Sequence, residues 1–252
     1  MNPYIIAEIA SAHFGNIAVL HDLIFAAYDA GCDGVKIQVW REIEIRNHKA
    51  YRNLKKFELT VEQWQQAART IKSLKMDLWV EIYSHYSYEL AIKLNYDYCK
   101  ASTKIANNDL RFLKLYNDFV SDSVVRINNI FWKSESISSK LVLKKHKKIT
   151  VGEQLYPTTL EQGKKEINFI NDNSCDGREI VYCCHQNPIT DGAYTLPMAA
   201  LQSGAKYIEK HLCIKRDILE KYSNDWVSAF EPDELKHFVK LIKSEKKVSY
   251  IK

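Results

Sequence analysis

Apolar residues along this chain fall into short continuous runs that alternate with longer stretches in which they recur every three or four positions. Runs of the first kind read as buried strands and stretches of the second as amphipathic helices. The first strand is expected over 4–9 and the first helix over 17–30, with Leu20, Leu23, Ile24 and Ala27 on one face and Gly31 as its stop. A second strand follows at 34–39, then a polar stretch at 40–59 without a strong period, expected to be a functional loop. Thr60 with Gln63 three residues on forms a capping box that opens the next helix. The alternation then repeats, with strands at 78–82, 98–101, 124–127, 149–151, 180–184 and 207–208. The helices between and after them are expected at 86–94, 108–119, 136–145, 159–171, 194–203 and 232–243.

Eight strand–helix units in 252 residues predict an α/β fold, a single-domain (β/α)8 TIM barrel spanning 1–252. A doubly wound sheet would want a glycine-rich phosphate turn after its first strand, and Ala10-Ser11-Ala12-His13-Phe14-Gly15-Asn16 lacks that spacing. An apolar content of 46% supports a real core, and no apolar run approaches the roughly 20 residues that span a bilayer. The start of the chain shows no export signal, so a cytoplasmic location without a membrane partner is expected. The net charge of +5 sits largely in lysine-rich surface stretches with no aromatic interleaving, which argues against a nucleic-acid partner. Six cysteines show no CxxC spacing and read as small buried hydrophobes in a reduced compartment; neither Cys183 nor Cys184 is expected to act as a nucleophile.

In a barrel of this kind the strand C-termini build one site. Here those ends carry Glu8 and His13, Lys36 and Gln38, Glu81, then Lys100, Ser102 and Thr103. Asn128, Gln154 with Tyr156, His185, and finally Glu209 with His211 follow. The run Glu209-Lys210-His211 is expected to deliver three ionisable groups to the rim, and two imidazoles on adjacent strand ends suit a divalent metal or a proton relay. The lysines, read as rim groups that contribute little to the core, suit a small multiply anionic ligand.

Several of these residues stand in a recognisable order. Ile6-Ala7-Glu8-Ile9 with His13 and Gly15, Val35-Lys36-Ile37-Gln38, and Lys56-Phe57-Glu58-Leu59 resemble the early motifs of the sialic acid (N-acetylneuraminate) synthase family. Tyr156-Pro157-Thr158, Glu209-Lys210-His211 and Glu231-Pro232-Asp233-Glu234-Leu235 resemble its later ones. The resemblance implies metal-dependent condensation of phosphoenolpyruvate with a sugar aldehyde, giving a 2-keto-3-deoxy sugar acid and phosphate. It implies Mn2+ or Mg2+ on His185 and His211, and catalytic roles for Glu8, Lys36, Lys100, Tyr156 and Asp225. It implies substrate contacts from Gln38, Thr103 and Gln154, to which the strand-end positions add Glu81, Ser102 and Glu209 as expected substrate contacts; a homodimer is also expected.

The sequence also departs from the family. Val80-Glu81 replaces a serine–threonine pair on the third strand, Ile105 replaces a glutamate, Asn128-Asn129-Ile130 replaces a Ser-Thr-Gly turn, and Cys183-Cys184 replaces serine–aspartate. The C-terminal antifreeze-like domain of the family is expected to be absent. Two further readings are a diverged metal-dependent barrel lyase or isomerase, and a non-catalytic ligand-binding relative in a sugar pathway.

Overall fold

The computed structural model describes residues 2–46, 51–101, 148–152, 155–173, 177 and 179–245. Among them seven parallel strands run in the order β4-β3-β2-β1-β7-β6-β5, the curl of a (β/α)8 barrel. They are β1 Tyr4–Ala10, β2 Gly34–Val39, β3 Asp77–Ile82, β4 Tyr98–Ala101, β5 Lys148–Val151, β6 Glu179–Cys183 and β7 Tyr207–His211. The strand expected at 124–127 and the helices expected at 108–119 and 136–145 lie outside the described residues.

The helices are α1 Ile17–Ala30, α2 Tyr51–Leu54, α3 Val61–Ser73, α4 His85–Lys93, α5 Leu160–Asn173, α6 Gly192–Gln202, α7 Arg216–Leu219 and α8 Pro232–Glu245. The major ones match the apolar periods to within a few residues. Helix α1 buries Leu20, Leu23, Ile24 and Ala27, and Gly31 stops it in a left-handed conformation (φ 82°) that a side chain would strain. At α3 the Thr60 hydroxyl accepts from the Gln63 N–H at 3.3 Å while the Gln63 amide oxygen accepts from the Thr60 N–H at 2.9 Å. Thr60→Ala removes one half of that exchange and is expected to cost about 1 kcal/mol, read as a lower urea midpoint at unchanged m-value.

Outward-facing strand residues such as Ile5, Ala7, Val35, Ile37, Leu78, Val80, Ile180 and Ile208 form the main core with the helices. Period-two alternation sends their neighbours into the barrel. Cys183 and Cys184 divide in this way: Cys183 joins the inner cluster with Ile6, Trp79, Val181 and Tyr207, and Cys184 the outer one.

The segment after β2 is less polar in effect than its sequence suggests. It folds as 3-10 turns at Glu42–Ile45 and Lys55–Phe57 around α2, and Trp40, Ile45 and Phe57 form a small core of their own with Phe14 against it. Gly15 (φ 71°) passes so close that a Cβ there would lie 2.6 Å from the Lys56 carbonyl oxygen. Only glycine lets the two loops meet. The Lys56-Phe57-Glu58-Leu59 motif therefore fastens this loop to the barrel: Phe57 and Leu59 are buried, and the Glu58 carboxylate accepts from the Glu42 N–H at 2.7 Å.

The motif opening α8 is structural in the same sense. Glu234 receives Arg216 through both guanidinium nitrogens and caps the Glu231 N–H at 2.8 Å, while Leu235 is buried.

Candidate active site

The N-terminal end of the barrel is plugged. Tyr4, Trp79, Tyr98 and Tyr207 meet there, with Trp79 stacked on Tyr98 at 4.2 Å and its indole N–H donating to the Tyr4 hydroxyl at 3.2 Å. Lys148 lies over the Tyr98 and Tyr207 rings and pairs with Glu179.

Above this floor the inward positions turn charged. Lys36 and Glu8 are cross-strand partners on β2 and β1, and Glu81 and Lys100 on β3 and β4. Glu209 on β7 stands beside Cys183 of β6. Their side chains converge. The Lys36 ammonium pairs with Glu8, with Glu81 Oε2 at 2.9 Å and with Glu209 Oε1 at 2.6 Å. Lys100 Nζ lies 3.1 and 3.2 Å from the two Glu209 oxygens, 3.6 Å from Glu81 Oε2 and 3.7 Å from Cys183 Sγ. Among the described residues, three carboxylates here meet two ammoniums.

Burial by itself would raise the carboxyls of Glu81 and Glu209, but Lys36 and Lys100 outweigh it and hold both below the usual carboxylate range. Burial would lower Lys100, and Cys183, Glu209 and Glu81 reverse this, so it stays charged. Burial and the Glu209 carboxylate push the Cys183 thiol up, away from any nucleophilic role.

Glu8 is positioned by a local distortion. The register of β1 against β2 slips between Glu8 and Ala10, and Ala10 takes a left-handed backbone (φ 47°). The bulge aims the Ala10 N–H at Glu8 Oε1, 2.7 Å away.

Beside this cluster, His185 and His211 face each other with ring centroids 5.4 Å apart. The Tyr156 ring lies 4.6 Å from His185 and 5.9 Å from His211. Backbone hydrogen bonds fix the two ends: Thr158 N–H donates to the His185 carbonyl at 3.1 Å and Phe230 N–H to the His211 carbonyl at 2.8 Å. Burial and the neighbouring His185 hold His211 well below its ordinary value, which leaves a neutral imidazole able to ligate. Asp225, in the 3-10 turn Asn224–Ser228, has its carboxyl raised by burial and by Glu81. Tyr156 is raised by burial and by the Asp225 and Glu81 carboxylates, so these groups share one field.

Among the described residues no group of three or more His, Cys, Asp or Glu is arranged to hold a metal ion. His185 and His211 are two neighbouring imidazoles, a donor type that a divalent cation accepts.

The structure thus brings together Glu8, Lys36, Glu81, Lys100 and Glu209, with Tyr156, Asp225, His185 and His211 alongside. Gln38 lies directly across from Glu81 on β2, half-buried. Ser102, Thr103, Ile105, Asn128 and Gln154 lie outside the described residues.

Three expectations need correction. Lys36 and Lys100 are not rim groups: they are 1% and 5% exposed and sit inside an ion network. Lys210 points out of the barrel, where it donates to the Cys184 carbonyl at 3.0 Å and lies 4.6 Å over the Phe230 ring, because it alternates with Glu209 and His211. His13 packs against Trp64 and Trp40, at 5.5 and 6.1 Å between ring centroids, among the loops outside the barrel interior.

One participant went unread. Tyr83, the residue after β3, places its hydroxyl 3.4 Å from Glu81 Oε1; its position at a strand end was the available signal.

A family model described as the NeuB family matches residues 155–249, the part that contains Tyr156, His185, Glu209, His211 and Asp225. No curated protein matches the chain. Among solved structures it is similar to the N-acetylneuraminic acid (sialic acid) synthetase of Leptospira borgpetersenii serovar Hardjo-bovis, solved in complex with citrate. The TM-score is 0.83 at 18% identity, over 99% of this chain and 85% of that one. The spore coat polysaccharide biosynthesis protein SpsE of Bacillus subtilis gives 0.77 at 20% identity, over 99% and 70%. A truncated 3-deoxy-D-arabino-heptulosonate 7-phosphate synthase of Thermotoga maritima gives 0.66 at 14%, over 98% and 86%. Residues 155–249 thus match the NeuB family, and the chain as a whole shares the barrel fold of these solved structures.

Proposed function

We propose that the chain is a synthase that condenses phosphoenolpyruvate with a sugar aldehyde to give a 2-keto-3-deoxy sugar acid and phosphate. The observation that carries this reading is the meeting of Lys36, Lys100, Glu8 and Glu209 inside the barrel, beside two facing histidines in a NeuB-matched segment. One similar structure is named as a synthase of a 3-deoxy sugar acid, and another as a sialic acid synthetase.

In this reading the lysines hold the carboxylate and phosphate of phosphoenolpyruvate, and His185 and His211 would hold Mn2+ or Mg2+. A divalent cation there supplies polarisation of the aldehyde oxygen. The C3 carbon of phosphoenolpyruvate then forms the new bond to the aldehyde carbon, and water adds at C2 before phosphate leaves. Glu8, held by the Ala10 N–H, is oriented to take a proton from that water. Asp225, whose carboxyl is raised, is suited to hold a proton for the aldehyde oxygen. Gln38, Glu209 and Tyr156 line the same space, with Ser102, Thr103 and Gln154 assigned to it by resemblance alone.

The five described cysteines, all free and buried, suit a reduced cytoplasmic setting. No helix among the described residues is long and apolar enough to cross a membrane. Residues 1–252 are taken as one barrel unit.

The test is phosphate release from phosphoenolpyruvate with Mn2+ and a panel of sugar aldehydes. We expect release that requires one aldehyde class, stops on chelation, and falls to background in His211→Ala. Tight phosphoenolpyruvate binding without release for any aldehyde would favour a ligand-binding protein instead. The full pairing of both lysines with internal carboxylates lends that second reading its support.

A further inference from the structure

We propose that Glu81 is an internal occupant of the anion site, a carboxylate that an incoming anionic ligand must displace from Lys36 and Lys100. The inference rests on the reading of those lysines as the anion site.

The argument is one of valence. An ammonium has three N–H donors. Lys36 donates to Glu81 and Glu209 and is ion-paired with Glu8, so a ligand meets three internal carboxylates already competing for it. Lys100 is equally engaged by both Glu209 oxygens, Glu81 Oε2 and Cys183 Sγ. An external phosphate or carboxylate that enters this cluster competes with these internal acceptors for the two ammoniums.

The three carboxylates are not equally replaceable. Glu8 is fully buried and tied to the Ala10 N–H. Glu209 spans both lysines, with two contacts to Lys100 and one to Lys36. Glu81 bridges the lysines through a single oxygen at 2.9 and 3.6 Å, and its other oxygen meets only the Tyr83 hydroxyl at 3.4 Å among the described residues.

Glu81 is also the carboxylate nearest the mouth. It is the penultimate residue of β3 and lies opposite the half-buried Gln38, and its field reaches Asp225 and Tyr156. A carboxylate repelled by Glu209 and Asp225, and held by one oxygen, is the one that yields to a ligand. Glu81 therefore sets the anion affinity of the site and selects for ligands able to compete with a carboxylate.

The experiment is calorimetric titration of the full chain with inorganic phosphate and with phosphoenolpyruvate. Glu81→Gln keeps the shape and removes the charge, and should tighten phosphate binding at least about tenfold. Glu81→Thr, smaller and neutral, should do the same. Unchanged or weakened phosphate affinity in both variants overturns the proposal. So does failure of both to fold, since a displaceable side chain is not one the fold depends on. Tighter phosphate binding in Glu81→Gln, with no phosphate released from phosphoenolpyruvate by the parent chain for any aldehyde, leaves this inference standing and removes the condensation reading.

Discussion

Lys36→Ala is expected to lower the unfolding free energy by about 3–5 kcal/mol, because it strands buried carboxylates that this one ammonium neutralises. The side chain is 1% exposed, so water cannot replace the lost partner. Lys36→Met restores most of the volume but none of the charge, and should remain nearly as unstable. Adding Glu81→Gln to Lys36→Ala removes one of the orphaned charges and should recover part of the loss, a coupling of about 0.5–3 kcal/mol. Urea unfolding of the parent, Lys36→Ala, Glu81→Gln and the double variant measures this cycle. A Lys36→Ala chain as stable as the parent would mean that the carboxylates are solvated, contrary to the burial of Glu8, Glu81 and Glu209.

The second large effect is an acid-side loss of stability centred on His13. Burial lowers its pKa to about 3, and its Nδ1 accepts from the Gly15 N–H at 3.0 Å, a bond that protonation at Nδ1 would break. An unfolded histidine titrates near 6.5, so between about pH 6.5 and 3 the unfolded chain binds a proton that the folded chain refuses. Stability then falls with falling pH at about 1.4 kcal/mol per unit from this one residue, or roughly 2–3 kcal/mol between pH 6.5 and 4.5. His13→Gln retains an acceptor for Gly15 and has no proton to take up. Its urea midpoint should decline less steeply over that interval, and parallel declines in the two chains would remove His13 as the cause.

The placement of the elements was legible because two periods carry it. Helix α1 shows its buried face at Leu20, Leu23, Ile24 and Ala27, and its ends are written in Asn16 and Gly31. The strands show as short apolar runs, and barrel geometry then points to their C-terminal residues as the site. That rule picked out Glu8, Lys36, Glu81, Lys100, His185, Glu209 and His211, side chains that the structure brings close together. The segment after β2 was less readable, since its apolar residues serve a small local core through short turns and not a helix face.

What the sequence by itself determined is the alternation of strands and helices, their caps, and which side chains lie at the strand ends. Those properties depend on neighbours within a turn or a pleat. What only the tertiary structure decided is which of these charges meet and how far water is excluded from them. Lys36 reaches Glu81 on the adjacent strand β3 and Glu209 on β7, two strands away in the curled sheet, and a strand read alone carries no record of those partners. The same closure turns Lys210 outward, draws His13 between two tryptophans, and converts two expected rim lysines into the buried centre of an ion network. Local sequence sets the direction of each side chain, but only the packed barrel sets the solvent and the counter-charges that give it chemistry.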